Sequence, residues 1–406
     1  MKAWLTRWAA AALFCTIVFG LVSAQPAFAQ NPKPVVVSFA YLALVKKQYY
    51  PASFLDPPPP DDGIQGARLG LADNRTTGHF LGQAYHMAVA LEPTAGAVLA
   101  AFHKLAAAGQ HIFVTDLPAA LLLKVSDLPE ARNMTFLDAT SRSNMLRAQG
   151  CRTNTFHLLP SNAMLADGLM QYLVVKRWTR IMLLSGKERK DIAYANAIRA
   201  SAHKFHVRIV ADKTWTFDPT TQRADTGHFQ IDTEVSRITQ GVPSYDVLVV
   251  ADIARNFGDS VEYATRQPRP VAGTAGLQPA AWGRAFQEYG GTQLQFRFMR
   301  QAKRWMTQND YGAWMAVRAI GEAATRTGSG SSKVISNYLH GSKFSLAAFK
   351  GVTLTFRPWD EQLRQPVLLL DSRSLVSISP QPGFLHPVSE LDTLGVDKPE
   401  TKCHMH

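Results

Sequence analysis

Cysteine is scarce in this chain: three residues in 406, with no Cys-x-x-Cys pair. That spacing leaves no zinc ribbon and no thioredoxin-type redox site. Gly-x-Ser-x-Gly, His-Glu-x-x-His and Gly-x-x-x-x-Gly-Lys-Ser/Thr are also missing. Without them there is no nucleophile elbow, no zinc-protease helix and no P-loop. Gly63 and Gly66 lack the spacing of a dinucleotide fingerprint. After residue 29 no run is apolar enough to cross a bilayer, which takes roughly 20 residues. No nucleic-acid motif accompanies the net charge of +12. The residues therefore point to binding rather than covalent chemistry, and the chain is read as a non-enzyme without a catalytic cofactor or a metal site.

What is present begins at the N-terminus. Lys2 and Arg7 precede an apolar run from Ala9 to Val22, and Ala27-Phe28-Ala29 follows. Charge, grease and a small-x-small site in that order predict a secretory signal peptide cut after Ala29. A retained anchor is the alternative. Cys15 lies inside the apolar run behind Phe14, which disfavours a lipoprotein. Cleavage takes Lys plus Arg from 43 to 41 against 31 acids, a net charge of +10. A basic balance in an exported chain suits an anionic small ligand, or solubility alone. Cys151 and Cys403 remain, 252 residues apart, and nothing local favours their pairing. Cys403, His404 and His406 offer three potential metal ligands in four residues, but at a terminus prone to fray.

The body alternates short apolar runs with amphipathic stretches. Strands are predicted at 35–41, 86–91, 111–115, 134–139, 180–184, 207–213, 246–251, 270–274 and 365–370. Helices are predicted from Asp61, then at 93–108, 118–125, 163–176, 191–203, 255–266, 311–325 and 334–339. Strands separated by helices imply crossovers and parallel sheets. Two such series make an α/β protein of two doubly wound lobes. The first lobe is expected at 34–150 plus about 280–335. The second is expected at 151–279 plus about 340–380, with 381–406 as a peripheral tail.

This layout resembles the type I periplasmic binding proteins of the branched-chain amino-acid transporter class. The resemblance rests on Gly66 to Asp73, on Cys151 to Phe156 with the helix and strand that follow, and on Tyr311 to Glu322. Leu339-His-Gly341, Phe356 and Leu363-Arg-Gln-Pro-Val367 complete it. It spans roughly 34–380. Asp73-Asn-Arg-Thr-Thr-Gly-His-Phe-Leu-Gly-Gln83 is similar to the subgroup associated with pyrroloquinoline quinone (PQQ) dependent alcohol oxidation. The usual Gly/Ser-rich loop after the first strand is replaced by Tyr41 to Lys47 and a Pro-rich insert. The resemblance implies a hinged type I periplasmic binding protein fold, a periplasmic location and a small-molecule ligand, with PQQ as the specific expectation. The partner is an ABC permease or a quinoprotein dehydrogenase. Other readings are an importer component for another organic acid, amide or amino acid, and an accessory or sensor protein.

In such a fold the ligand meets the loops at the strand ends. Ser141, Arg142, Ser143 and Asn144 follow the fourth strand, where hydroxyls and a guanidinium can hold a carboxylate. A solvated loop with an Asn cap is the plainer reading. Lys187 and Arg189 follow the first strand of the second lobe, with Tyr194 one turn into the next helix. Arg255, Thr274, Gln278 and Trp282 follow two later strands, and Trp282 has a face for a flat ligand or for the core. Tyr41 and Lys46 end the first strand.

Overall fold

The computed structural model describes residues 34–45, 57–215 and 231–405. The expected signal peptide, Lys46 and His406 lie outside them. In the first lobe β1 (Val35–Leu44), α1 (Ile64–Leu81), β2 (Gln83–Glu92), α2 (Ala95–Ala107), β3 (Ile112–Asp116), α3 (Ala119–Ser126), β4 (Thr135–Asp138) and β5 (Thr155–His157) follow in order. The five strands pair in parallel as β2-β1-β3-β4-β5. β3 reads Ile-Phe-Val-Thr-Asp and is buried throughout, as an inner strand covered by helices on both faces must be.

The second lobe runs α4 (Asn162–Val175), β6 (Arg180–Ser185), α5 (Arg189–Lys204), β7 (Arg208–Thr214), α6 (Ile231–Ile238), β8 (Val247–Ala251), α7 (Gly258–Ala264) and β9 (Val271–Gly273). Its parallel sheet is ordered β7-β6-β8-β9. Then come β10 (Gln278–Ala280), α8 (Gly291–Ala302), α9 (Gln308–Thr327), α10 (Ser332–His340), β11 (Leu346–Ala347), β12 (Thr353–Leu354), β13 (Val367–Leu370) and β14 (Leu375–Ser379). The expected helix at 255–266 is shorter because the Asp252 carboxylate takes the amides of Asn256, Phe257 and Gly258 at 2.7–3.0 Å. That turn holds the chain open until α7 begins.

Helix α9 returns to pack on α1, with apolar Trp314, Val317 and Ile320 in the first core. Close approach there requires glycine. A Cβ on Gly66 would fall 1.8 Å from the Asp310 carbonyl, and one on Gly312 would fall 2.0 Å from that of Ala139.

Three segments carry the chain between the cores. Leu158 and Leu159 lie in the first core and Met164 in the second. Ala272 lies in the second and Ala280 in the first, while Leu363 and Val367 make the third passage. β13 sits on the seam and alternates faces: Leu368 and Leu370 enter the first core, Val367 and Leu369 the second. It pairs antiparallel with β10 and β14.

Three expectations are corrected. The first sheet continues past residue 150, because β5 pairs with β4. Residues 344–356 join the first core through Phe344, Leu346, Leu354 and Phe356, so they do not belong with the second lobe. The C-terminal segment is not peripheral: Leu394 is buried in the second core. Asp392 is buried between Arg357 and Arg364 at 2.9 and 2.8 Å. Cys151 and Cys403 form a disulfide. Its partners meet only through the tertiary fold, a relation that local spacing does not reveal.

Candidate functional site

At the carboxyl ends of the first-lobe strands three loops converge. Tyr41 near the end of β1 is fully buried, and its hydroxyl has no hydrogen-bond partner. Burial pushes its pKa well above that of an ordinary phenol, and the charges of Asp116, Asp62 and Asp310 add to the rise. Asp116 ends β3 and accepts a bond from Thr140 Oγ1 at 2.7 Å. Asp62 accepts from Thr307 Oγ1 at 2.5 Å and Asn309 Nδ2 at 2.6 Å. Gly63 has φ +85°, and a Cβ on it would lie 2.6 Å from Tyr41 Oη and 3.1 Å from Asp116 Oδ2. A glycine is needed here for both its torsion and its lack of bulk.

Arg142 stands in the loop after β4. Asp138 shapes that loop by accepting the Ser141 amide at 2.9 Å. The Arg142 carbonyl accepts the Asn162 amide at 2.9 Å, which fixes the loop to the start of α4. The side chain is different. Its Nε is buried without a hydrogen-bond partner, and the guanidinium has no ion pair among the described residues. Burial lowers its pKa, while Tyr194 and Asp62 act in the opposite sense.

Tyr194 belongs to α5 of the second lobe and Asp62 to the first, so Arg142 feels both sides of the cleft. Tyr194 is also buried with an unpartnered hydroxyl. Burial raises its pKa and Arg142 pulls it back. Buried donors normally find partners, and each one left unmet costs about 1–3 kcal/mol. Tyr41, Arg142 and Tyr194 thus form a constellation able to receive hydrogen-bond acceptors, and Arg142 an anion.

The other expected residues lie elsewhere or are already engaged. Ser141 Oγ accepts the Ser143 amide at 3.4 Å, and Ser143 gives its carbonyl to Arg147. Asn144 Oδ1 accepts the Ala163 amide in the first turn of α4 at 2.9 Å, beside the N-cap Ser161, which takes the Met164 amide. Lys187 and Arg189 are exposed, flanking Glu188, which forms a capping box with Asp191 at the start of α5. Arg255 pairs with Asp259 at 2.8 Å. Thr274 Oγ1 accepts from the Asp252 amide and donates to the Val250 carbonyl, joining the ends of β8 and β9. Gln278 is exposed at the start of β10.

Trp282 corrects the idea of a ligand-stacking face. It is buried in the first core, stacked on Tyr311 at 4.6 Å, with Nε1 donating to Gln295. The metal idea for the C-terminus meets two facts: Cys403 is committed to its disulfide, and no group of three or more His, Cys, Asp or Glu among the described residues could hold a metal. Asp62 and Asp116 were not anticipated. A carboxylate closing a strand that opens Ile-Phe-Val, as Asp116 closes β3, was the available signal.

Behind the cleft the connecting segments are bonded to each other. Gln365 Nε2 donates to the Leu158 carbonyl at 2.5 Å and Gln362 Nε2 to that of Leu159 at 3.0 Å. Buried Lys350 donates to the carbonyls of Ala281 and Pro366, with Nζ 5.4 Å from the Tyr311 ring centre. Burial lowers its pKa to about 7. Beneath the Arg142 loop, Asp138 meets His157 Nδ1 at 2.8 Å, and burial followed by the charge of Arg147 lowers that imidazole to about 4.

No protein-family model matches the chain, and no curated protein matches it by sequence. Solved structures do match. A periplasmic binding protein from Burkholderia mallei is 14% identical, with a TM-score of 0.65 over 91% of this chain and 99% of that one. An R. palustris solute-binding protein in complex with benzoate is 11% identical, with a TM-score of 0.63 over 91% and 100%. A Desulfitobacterium hafniense ABC transporter substrate-binding protein in complex with Leu is 14% identical, with a TM-score of 0.60 over 84% and 99%. At these identities the likeness is one of fold.

Proposed function

Given the fold of the type I periplasmic binding proteins, we propose that this chain is the solute-binding component of an ABC import system, located in the periplasm. It captures a small carboxylate-bearing solute between its lobes and does no covalent chemistry on it. The observation that carries this reading is Arg142: a half-buried cation whose Nε has no hydrogen-bond partner, without an ion pair among the described residues, and within electrostatic reach of Asp62 of one lobe and Tyr194 of the other. A charge held partly out of water without a partner is costly, and a ligand carboxylate can meet the guanidinium bidentately. The hydroxyls of Tyr41 and Tyr194 serve further oxygens. The carboxylates of Asp62, Asp116 and Asp310 close to Tyr41 oppose a second anionic group, so one carboxylate fits better than several. Benzoate and leucine, held by two structural neighbours, are compact solutes of that kind.

A second reading keeps PQQ as the ligand, for uptake or for delivery to a quinoprotein dehydrogenase. Its support is the resemblance of residues 73–83. That stretch lies along α1, where Asp73 meets Arg297 at 2.6 Å and Trp314 Nε1 at 2.9 Å. Its role is therefore in the seam with α8 and α9 rather than in the cleft, and the cations this reading assigns to the remaining carboxylates are exposed Lys187 and Arg189, before and at the start of α5.

A thermal-shift panel with leucine, benzoate, other monocarboxylates and PQQ tests both, since a ligand binding only the native state raises the melting temperature. A shift with a monocarboxylate that disappears in Arg142→Ala supports the first reading. Visible colour retained after mixing with PQQ and desalting moves the assignment to the second. No shift with any member, in wild type and variant alike, overturns the carboxylate reading.

A further inference from the structure

We infer that the C-terminal segment, closed by the disulfide, is a covalent strap between the two lobes that limits how far the cleft opens. This rests on the reading that the lobes hinge about the three connecting segments. One end of the strap is fixed to the second lobe. Leu394 is buried in its core. The Gly395 amide donates to Asp167 of α4 at 2.8 Å, and the Gly395 carbonyl accepts from Lys204 of α5, also at 2.8 Å. Phe384 packs edge-on against Phe205 beyond the end of α5. The third connecting segment adds Arg357, bonded to Asp392 and to the carbonyls of Leu391 and Leu394, and Trp359, bonded to that of Val396.

The other end is fixed to the first lobe. Cys151 is buried between Gly150, which packs against Met145 and Leu123, and Arg152, which holds Asp127 beyond α3 through two bonds of 2.5 and 2.9 Å. Asn154, three residues on, donates to the carbonyls of Ser126 and Ala131. These anchors around Cys151 belong to the first lobe. Between Val396 and Cys403 the chain has little slack, because residues 397–400 are wound into a capped turn in which Asp397 and Glu400 hold each other's backbone. Glu400 reaches back to Lys204 at 3.8 Å. Separation of the lobes therefore has to unwind this turn or peel the tail from α4 and α5.

The test separates tethering from the general stabilisation that a disulfide provides. In one variant an eight-residue Gly/Ser segment is inserted between Thr401 and Lys402, which keeps the disulfide but lengthens the tether. In another, Cys151 and Cys403 are both replaced by Ser. Fluorophores at positions 104 and 208, introduced through non-cysteine chemistry, report lobe separation by single-molecule energy transfer without ligand. Both variants are expected to show a longer mean separation and a broader distribution than wild type, with intact mass verifying the disulfide in the slack chain. A slack chain whose distribution matches wild type overturns the strap, even if the double-Ser variant opens. The receptor reading is judged separately, by whether wild type closes on benzoate or leucine.

Discussion

Replacing Lys350 by Met tests the electrostatics of the region where the lobes join. The ammonium is buried, with no carboxylate among the causes of its shift, and burial takes its pKa from 10.5 to about 7. Each unit is worth about 1.4 kcal/mol, so keeping the amine charged in the folded state costs roughly 5 kcal/mol. Between these two values the unfolded chain holds a proton that the folded chain has released. Stability therefore rises with pH across that window and lies at its floor below pH 7. From pH 6 to pH 9.5 this single group adds roughly 3 kcal/mol to folding. Lys350→Met has no such proton to lose, and the other titrating groups are common to both chains.

The difference in unfolding free energy between wild type and variant is thus expected to move by roughly 3 kcal/mol in favour of wild type from pH 6 to 9.5. The bonds to the carbonyls of Ala281 and Pro366 favour the charged form and set the absolute offset, because Met leaves those two oxygens without the amine. Denaturant titrations at four pH values measure the difference. Two stability curves that stay parallel over the whole range would refute the reasoning and mean that the amine keeps its proton.

His157, lowered to about 4, works over a more acidic window: the unfolded chain takes up a proton below its usual value of 6.5 and the folded chain does not. Wild type should lose roughly 3 kcal/mol relative to His157→Gln between pH 7.5 and pH 4, and equal slopes in acid denaturation would contradict this. Asp392→Ala strands Arg357 and Arg364 without the carboxylate they share. It should cost about 3–5 kcal/mol in urea unfolding, and a loss under about 1 kcal/mol would show that solvent reaches the pair. Gly312→Ala drives a methyl against the Ala139 carbonyl and should cost about 3 kcal/mol or more, read as a fall in melting temperature; an unchanged transition would mean that α9 shifts freely.

The parts of the fold that were legible are those whose local pattern has one meaning. Val-Leu-Val-Val-Ala at 247–251 is apolar at every position, and β8 is buried throughout. Tyr311, Trp314, Val317 and Ile320 lie at helical spacing and face the first core along α9. Helix α8 was missed because it opens on glycine and carries Phe296 and Phe298 among polar residues, a mixture that reads as neither period. The site was half legible. Arg142 and Tyr194 follow from their places after β4 and one turn into α5. Lys187 and Arg189 occupy a similar place after β6, yet they turn to solvent, because the helix start is capped by Glu188 and Asp191. Trp282 and the Cys151–Cys403 bond depend on partners far away in sequence, Gln295 and Tyr311 for one and the folded tail for the other.

Calorimetric titration of wild type and Arg142→Ala with the monocarboxylate that gives the largest thermal shift tests the central claim most directly. A charge-assisted bond contributes roughly 1.5–3 kcal/mol, so the account predicts saturable one-to-one binding to wild type and affinity about 10- to 100-fold weaker in the variant. Arg142→Lys should recover part of the loss, because an ammonium cannot reproduce two-pronged contact. Equal affinity for wild type and a folded Arg142→Ala would contradict the account.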